Sequence, residues 1–207
     1  MMRLFRDENF MFNCPTMFES RYSGDEDYFS GNGTLYNKRI WETNFIPNAP
    51  DMALYGWRER GAGGINASLR MGKNDMGNHI SEFPIGTYKK AHRHTAGAHV
   101  IIVGGQGYSL MWLEGTEPKK FDWHEGSVIV PPDRWFHQHF NTGTTPARYL
   151  ALRWGSVKHP IVTQTKRDVE RVRKEDQIEY EDQDPKIHRL FEAECARFGA
   201  QVSMKIS

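Results

Sequence analysis

"GTYKKAHRHTAGAHV", Gly86 to Val100, places three of the chain's nine histidines at positions 92, 94 and 99. A strand directs residues i and i+2 to one face, with Cα atoms roughly 6.5 Å apart, so His92 and His94 are expected to project together. His99 follows the short turn "TAGA" and opens "HVIIV", a strand candidate that can return to the same neighbourhood. A further histidine, His137, lies in "PPDRWFHQHFN", a later strand that antiparallel pairing could bring alongside. Counting His124 and His139, six histidines fall between positions 92 and 139. Read singly, each is a polar or packing residue of a sheet. Taken as a set, three or four neutral imidazoles from neighbouring strands make a chelate for a first-row metal.

Around this stretch, short apolar or alternating runs recur between turn residues: "INASLRM", "HISEFPI", "YSLMWL", "SVIVPP", "WFHQHF" and "RYLALRW". Many short strands at such spacing predict an all-β domain, an antiparallel sandwich or barrel, over residues 65–156. Residues 1–64, rich in aromatics, Gly, Asn and Pro without a helical period, predict an extension of loops and strands, with "RIWETNF" the best strand candidate. Residues 157–207 contain the charged run "KRDVERVRKEDQIEYEDQD", from Lys166, and close on a helix signature. Asp184 is its N-cap, Pro185 its first position and Gly199 its stop, while Ile187, Leu190, Phe191, Cys195 and Phe198 form an apolar stripe. The Gly clusters "GAGG" and "GGQG" lack the residues a phosphate loop requires and read as turns.

Composition narrows the partners. Lys plus Arg (27) balance Asp plus Glu (26), which provides no electrostatic case for nucleic acid or an anionic membrane. The amino terminus is broken by Arg3, Arg6, Asp7 and Glu8, leaving no stretch for a signal peptide or a membrane span, so a cytoplasmic protein is expected. Cys14 and Cys195 match no metal or redox spacing and read as reduced thiols.

Between Asn66 and Trp154 the chain resembles a cupin domain. Gly86, His92 and His94 fit that family's first motif, with His99 where a glutamate usually stands and the closing glycine displaced by one, at Gly105 or Gly107. Gly126, Pro132, His137 and Asn141 fit the second, with Arg134 in place of its glycine. The flanks resemble the later half of two-cupin proteins. The resemblance implies a jelly-roll β-barrel, with an amino-terminal extension and a carboxy-terminal helix, that binds one divalent metal. Its ligands would be His92, His94, His137 and, as fourth, His99, or His139 in its stead. An all-imidazole set leaves the dication uncompensated, which favours an anionic substrate.

Strand parity makes His139 and Tyr88 the candidates for positioning substrate or moving a proton, while Lys90, Arg134 and Arg153 are cations that could face inward. His124, in the turn "DWHEG", is expected to be exposed. The leading functional reading is an Fe(II) dioxygenase acting on a small carboxylate or enolate. Lyase, decarboxylase or isomerase chemistry on Zn(II), Mn(II) or Ni(II) is the second, and a non-catalytic small-molecule-binding module the third. A homodimer is expected by the same resemblance.

Overall fold

The computed structural model describes residues 34–36, 40–42, 46–56, 60–70, 76–94, 97–154 and 176–204. Five strands come first: β1 Thr34–Tyr36, β2 Ile40–Glu42, β3 Tyr55–Gly56, β4 Ile65–Arg70 and β5 Met76–Phe83. The barrel continues through β6 Ala91–His92, β7 Ala98–Gly104, β8 Gln106–Trp112, β9 Lys119–His124, β10 Val128–Ile129, β11 Phe136–Asn141 and β12 Ala147–Trp154. A short strand, β13 Gln177–Ile178, and the helix α1, Pro185–Phe198, follow. "RIWETNF" contains β2, whereas Cys14 and the charged run as far as residue 175 lie outside the described residues.

The strands divide between two sheets. The larger runs β1-β2-β4-β5-β12-β7-β10 with β3 on β4, and the smaller runs β13-β6-β11-β8-β9. From β5 onward the chain passes repeatedly between them, which is the jelly-roll path. Each sheet buries both faces. Between the sheets lie Phe83, Val100, Ile102, Met111, Trp123, Tyr149 and Ala151. The outer face of the smaller sheet presents Tyr88, Tyr108, Leu110, Trp112, Phe136 and Phe140, which pack against Ile187, Phe191 and Cys195 of α1. The outer face of the larger sheet presents Ala67, Leu69 and Ile80, covered by Trp41, Ile46, Met52 and Leu54. The amino-terminal extension and the helix are therefore the two lids that convert exposed sheet faces into core.

The helix begins and ends where its signals stand. The Asp184 carboxylate accepts from the Lys186 amide at 2.9 Å, and Gly199 takes the left-handed conformation (φ 72°) that terminates it. Cys195 is buried and free. Beyond the helix the chain laps back over Gly86, whose φ of 65° suits glycine and whose carbonyl accepts from Ser203 N at 2.8 Å. A Cβ there would lie 1.8 Å from the Gln201 carbonyl, so the first glycine of the motif admits a backbone crossing. Asn141, the last residue of the second motif, is also structural. Its Nδ2 donates to Pro84 O (3.1 Å) and Thr145 O (2.9 Å), and its Oδ1 accepts from Gly143 N, joining two loops at one end of the barrel. Among the described residues no helix is long and apolar enough to cross a membrane.

Candidate metal centre

The centre is assembled by strand pairing in the smaller sheet. β11 runs antiparallel to β6 with His137 directly opposite His92, and their ring centroids lie 4.3 Å apart. His94, just past the end of β6, brings its ring 4.9 Å from His137 and 5.7 Å from His92. The three offer ligand atoms that all lie within 4.8 Å of one another, and among the described residues no carboxylate or thiol joins the group. Two of the rings are oriented from behind: His92 Nδ1 donates to Lys90 O (3.2 Å) and His137 Nδ1 donates to Trp135 O (3.1 Å). An imidazole with its Nδ1 proton bound to a carbonyl carries its lone pair on Nε2, the tautomer that ligates a metal. The donor set therefore fits a first-row divalent metal.

The loop before β11 keeps the motif's geometry without its glycine. Arg134, in the glycine position, holds φ at 62°, a left-handed conformation that a non-glycine residue adopts at about 1–2 kcal/mol. Two contacts hold it: its amide donates to His94 O (3.2 Å) and its guanidinium pairs with Asp176 at 3.4 Å. Asp176 also pairs with Arg93 Nε at 3.1 Å. The same clamp thus joins the segment after His92 to the turn that launches His137.

His99 is not part of this group. It is exposed on the outward face of β7, paired with Leu152, while Ala98, Val100 and Ile102 fill the interior. Its reading as fourth ligand is corrected, because "HVIIV" is apolar at both parities and cannot say which set turns inward. The inward residue at this point is Ala98, which has no donor atom. Counting three residues after His94 instead of four places Ala98 at the motif's acid position. It also brings Gly105 into the six-residue spacing, a signal present in the sequence. Gly105 has φ 89°, and a Cβ there would lie 2.8 Å from Ala147 Cα.

Tyr88 is likewise displaced. It lies on the outer face of the smaller sheet, its ring against Phe140 and Phe191 and its hydroxyl accepting from Gln183 Nε2 at 2.9 Å. Its proposed role in positioning substrate or moving protons is withdrawn. The backbone from Gly86 to Lys90 is irregular, so alternation counted back from His92 fails there. The inward cation is Lys89, almost wholly buried, whereas Lys90 pairs with Glu179 near the surface. His124 is exposed.

His139 faces the interior two residues past His137, with its ring 5.8 Å from His137 and 5.6 Å from Tyr149. Trp123 Nε1 donates to Ser109 Oγ (3.0 Å), which lies 2.7 Å from His139 Nδ1. When the Ser109 hydroxyl donates to Nδ1, the His139 proton sits on Nε2, on the side of the ring away from Ser109. Two further interior groups had no motif to mark them. Lys89 Nζ donates to Tyr149 Oη at 3.2 Å, and His79 sets its ring 5.9 Å from Tyr149.

The interior carries positive charge, and burial favours the neutral form of four of its imidazoles. Burial pushes His79, His92, His137 and His139 below the ordinary imidazole value, His139 to about 3. Neighbouring charge adds to this: Arg153 and Lys89 act on His79, Arg60 on His92, His94 on His137 and Lys89 on His139. Below pH of about 6.5 the unfolded chain takes up protons that these native histidines refuse, so stability falls as pH falls. The loss levels off only below the native values. Between pH 6.5 and 5.5 each such histidine removes about 1 kcal/mol, and the four together about 4 kcal/mol. Urea unfolding of metal-free protein at half-unit pH steps tests this; a midpoint unchanged from pH 7 to pH 5 contradicts it.

No family model matches the sequence, and no curated protein matches it. Among solved structures, the chain is similar to Lactobacillus farciminis oxalate decarboxylase in a formate complex. That alignment has 18% identity and a TM-score of 0.45 over 52% of this chain and 32% of the other. It is similar also to a predicted oxalate decarboxylase from Thermotoga maritima, at 19% identity and TM-score 0.43, covering 52% of this chain and 96% of that one. A third is the Schizosaccharomyces pombe Cnp3 cupin domain, at 16% identity and TM-score 0.41, covering 54% and 74%. The chain thus spans about a third of the length of the Lactobacillus farciminis enzyme.

Proposed function

We propose that this cupin-fold chain is a metal-dependent enzyme, an Fe(II) dioxygenase acting on a small oxygenated anion that presents a carboxylate or enolate. The observation that carries the reading is the group of three buried or half-buried imidazoles, two of them anchored through Nδ1, with Ala98 where a fourth protein ligand would stand. His92, His94 and His137 would hold Fe(II), which would supply Lewis acidity and redox capacity.

The chain's own residues account for the remainder. Lys89, Arg153 and Arg60 place positive charge around the imidazoles and so favour an anion over a neutral molecule. His139 is set to donate from Nε2 to an oxygen of that anion, its ring steadied by Ser109 and Trp123. Met111, Trp123, Val100 and Ile102 form the apolar packing beside the site and limit the entry of water.

Oxygen uptake is the test. Protein loaded with Fe(II) and offered a panel of small hydroxy- and oxo-carboxylates is expected to consume dioxygen with at least one of them, and protein loaded with Zn(II) is not. Turnover by the Zn(II) form without oxygen would transfer the protein to the lyase, decarboxylase or isomerase class. Tight binding without turnover under any metal would make it a binding module.

A further inference from the structure

Arg153 sits near the end of β12, paired with Gly77 on one side and Ala98 on the other. It shares its parity with Ala151 and Tyr149, both buried between the sheets, so its side chain starts on the inward face of the larger sheet. The two flanking residues carry at most a methyl group, so no large side chain stands beside its stem. Its Nε is buried and has no hydrogen-bond partner. The residue is half-buried, and that burial draws its proton affinity down. Lys89 adds a second buried positive charge, stacked over the rings of Tyr149 (4.9 Å) and Phe83 (5.3 Å). His79 lies within electrostatic range of Arg153, Lys89 and His94 alike, which ties this cationic wall to the imidazole group.

A half-buried guanidinium with an unpartnered Nε is stabilised when a planar anion accepts from it, and a carboxylate matches its fork. The metal-binding atoms belong to the smaller sheet and Arg153 to the larger, so a ligand between them meets positive charge at both ends. We infer that Arg153, supported by Lys89, forms a carboxylate subsite facing the imidazole group, and that the substrate is a two-headed anion. One head supplies oxygen donors to the metal, and the other, a carboxylate, is held by Arg153. This rests on the metal-enzyme reading above for the first head only.

The experiment compares matched anions on the full chain loaded with Co(II). Calorimetric titration with malonate, succinate and glutarate is set against propionate, butyrate and valerate, while the visible Co(II) spectrum monitors the metal. At least one dicarboxylate is expected to bind about tenfold or more tighter than its monocarboxylate, the range of charge-assisted hydrogen bonds to a buried partner. Arg153→Met is expected to reduce that preference to within about twofold with the Co(II) spectrum of the ligand-free protein unchanged. Arg153→Lys, which keeps the charge and the aliphatic stem but loses the fork, is expected to retain part of it and serves as the variant if Arg153→Met fails to fold. The subsite is overturned if no dicarboxylate is preferred by the wild-type protein, or if the preference survives unchanged in the foldable variant. Failure of the metal reading is distinguishable. It appears as absence of Co(II) absorption, while binding of the monocarboxylates that is lost in Arg153→Met is still measurable on metal-free protein.

Discussion

His137→Ala is expected to weaken Co(II) binding by roughly 100-fold or more, because loss of an outer partner of a metal ligand alone removes 10–100-fold. His137 stands opposite His92 in the sheet and shares the 4.8 Å group with His92 and His94, so its removal leaves two donors and an incomplete chelate. His99→Ala is expected to change the affinity by less than about twofold, since an exposed residue on the far face of β7 loses neither contact nor donor. Thermal unfolding reports the same contrast independently. At Co(II) a hundredfold above its dissociation constant, wild type and His99→Ala should gain about 2.7 kcal/mol, whereas His137→Ala at the same concentration should gain little. Equal loss of metal in the two variants would place His99 at the centre and sink the assignment of its face.

The second large effect concerns the "GGQG" stretch, whose glycines look alike in sequence and differ in the fold. A Cβ on Gly107 would lie 1.9 Å from the Phe140 carbonyl oxygen and 2.8 Å from the Trp123 ring. The carbonyl belongs to the β8–β11 ladder and cannot yield, and Trp123 is the donor that holds Ser109 beside His139. Gly107→Ala is therefore expected to destabilise the protein by about 3 kcal/mol or more, the upper end for overpacking a close-fitted interior. A Cβ on Gly104 would meet nothing within 4 Å, so Gly104→Ala should lie within about 0.5 kcal/mol of wild type. Urea unfolding of the pair decides the matter; a Gly107→Ala protein as stable as Gly104→Ala would show that β8 and β11 are less closely apposed than described.

Legibility followed the range of the interactions. The helix was readable residue by residue, because capping by Asp184, entry at Pro185 and termination at Gly199 are local events. His92 and His137 were readable because two motifs at fixed spacing specify a turn and a strand each, and antiparallel pairing supplies the rest. Arg134 was readable as a departure, yet not as a residue that keeps the glycine conformation, since its ion pair with Asp176 crosses 42 positions. Tyr88 and Lys90 were read as facing inward, and Lys89 was passed over, because parity has no meaning across an irregular segment. His79 lay in an alternating strand without any motif, and only the pairing of β5 with β12, which sets it beside Ala151, turns it inward.

By itself, the sequence determined an all-β domain with a terminal helix and two motifs that carry His92, His94 and His137, because alternation, turn residues and caps act over a few residues. Tertiary structure alone decided which face of β7 turns inward. Val100 and Ile102 compete there with Ile101 and Val103, two sets of nearly equal hydrophobicity, and pairing with β12 selects the first. That choice exposes His99, puts Ala98 in the acid's place and sets Arg153 on the inward face of the larger sheet.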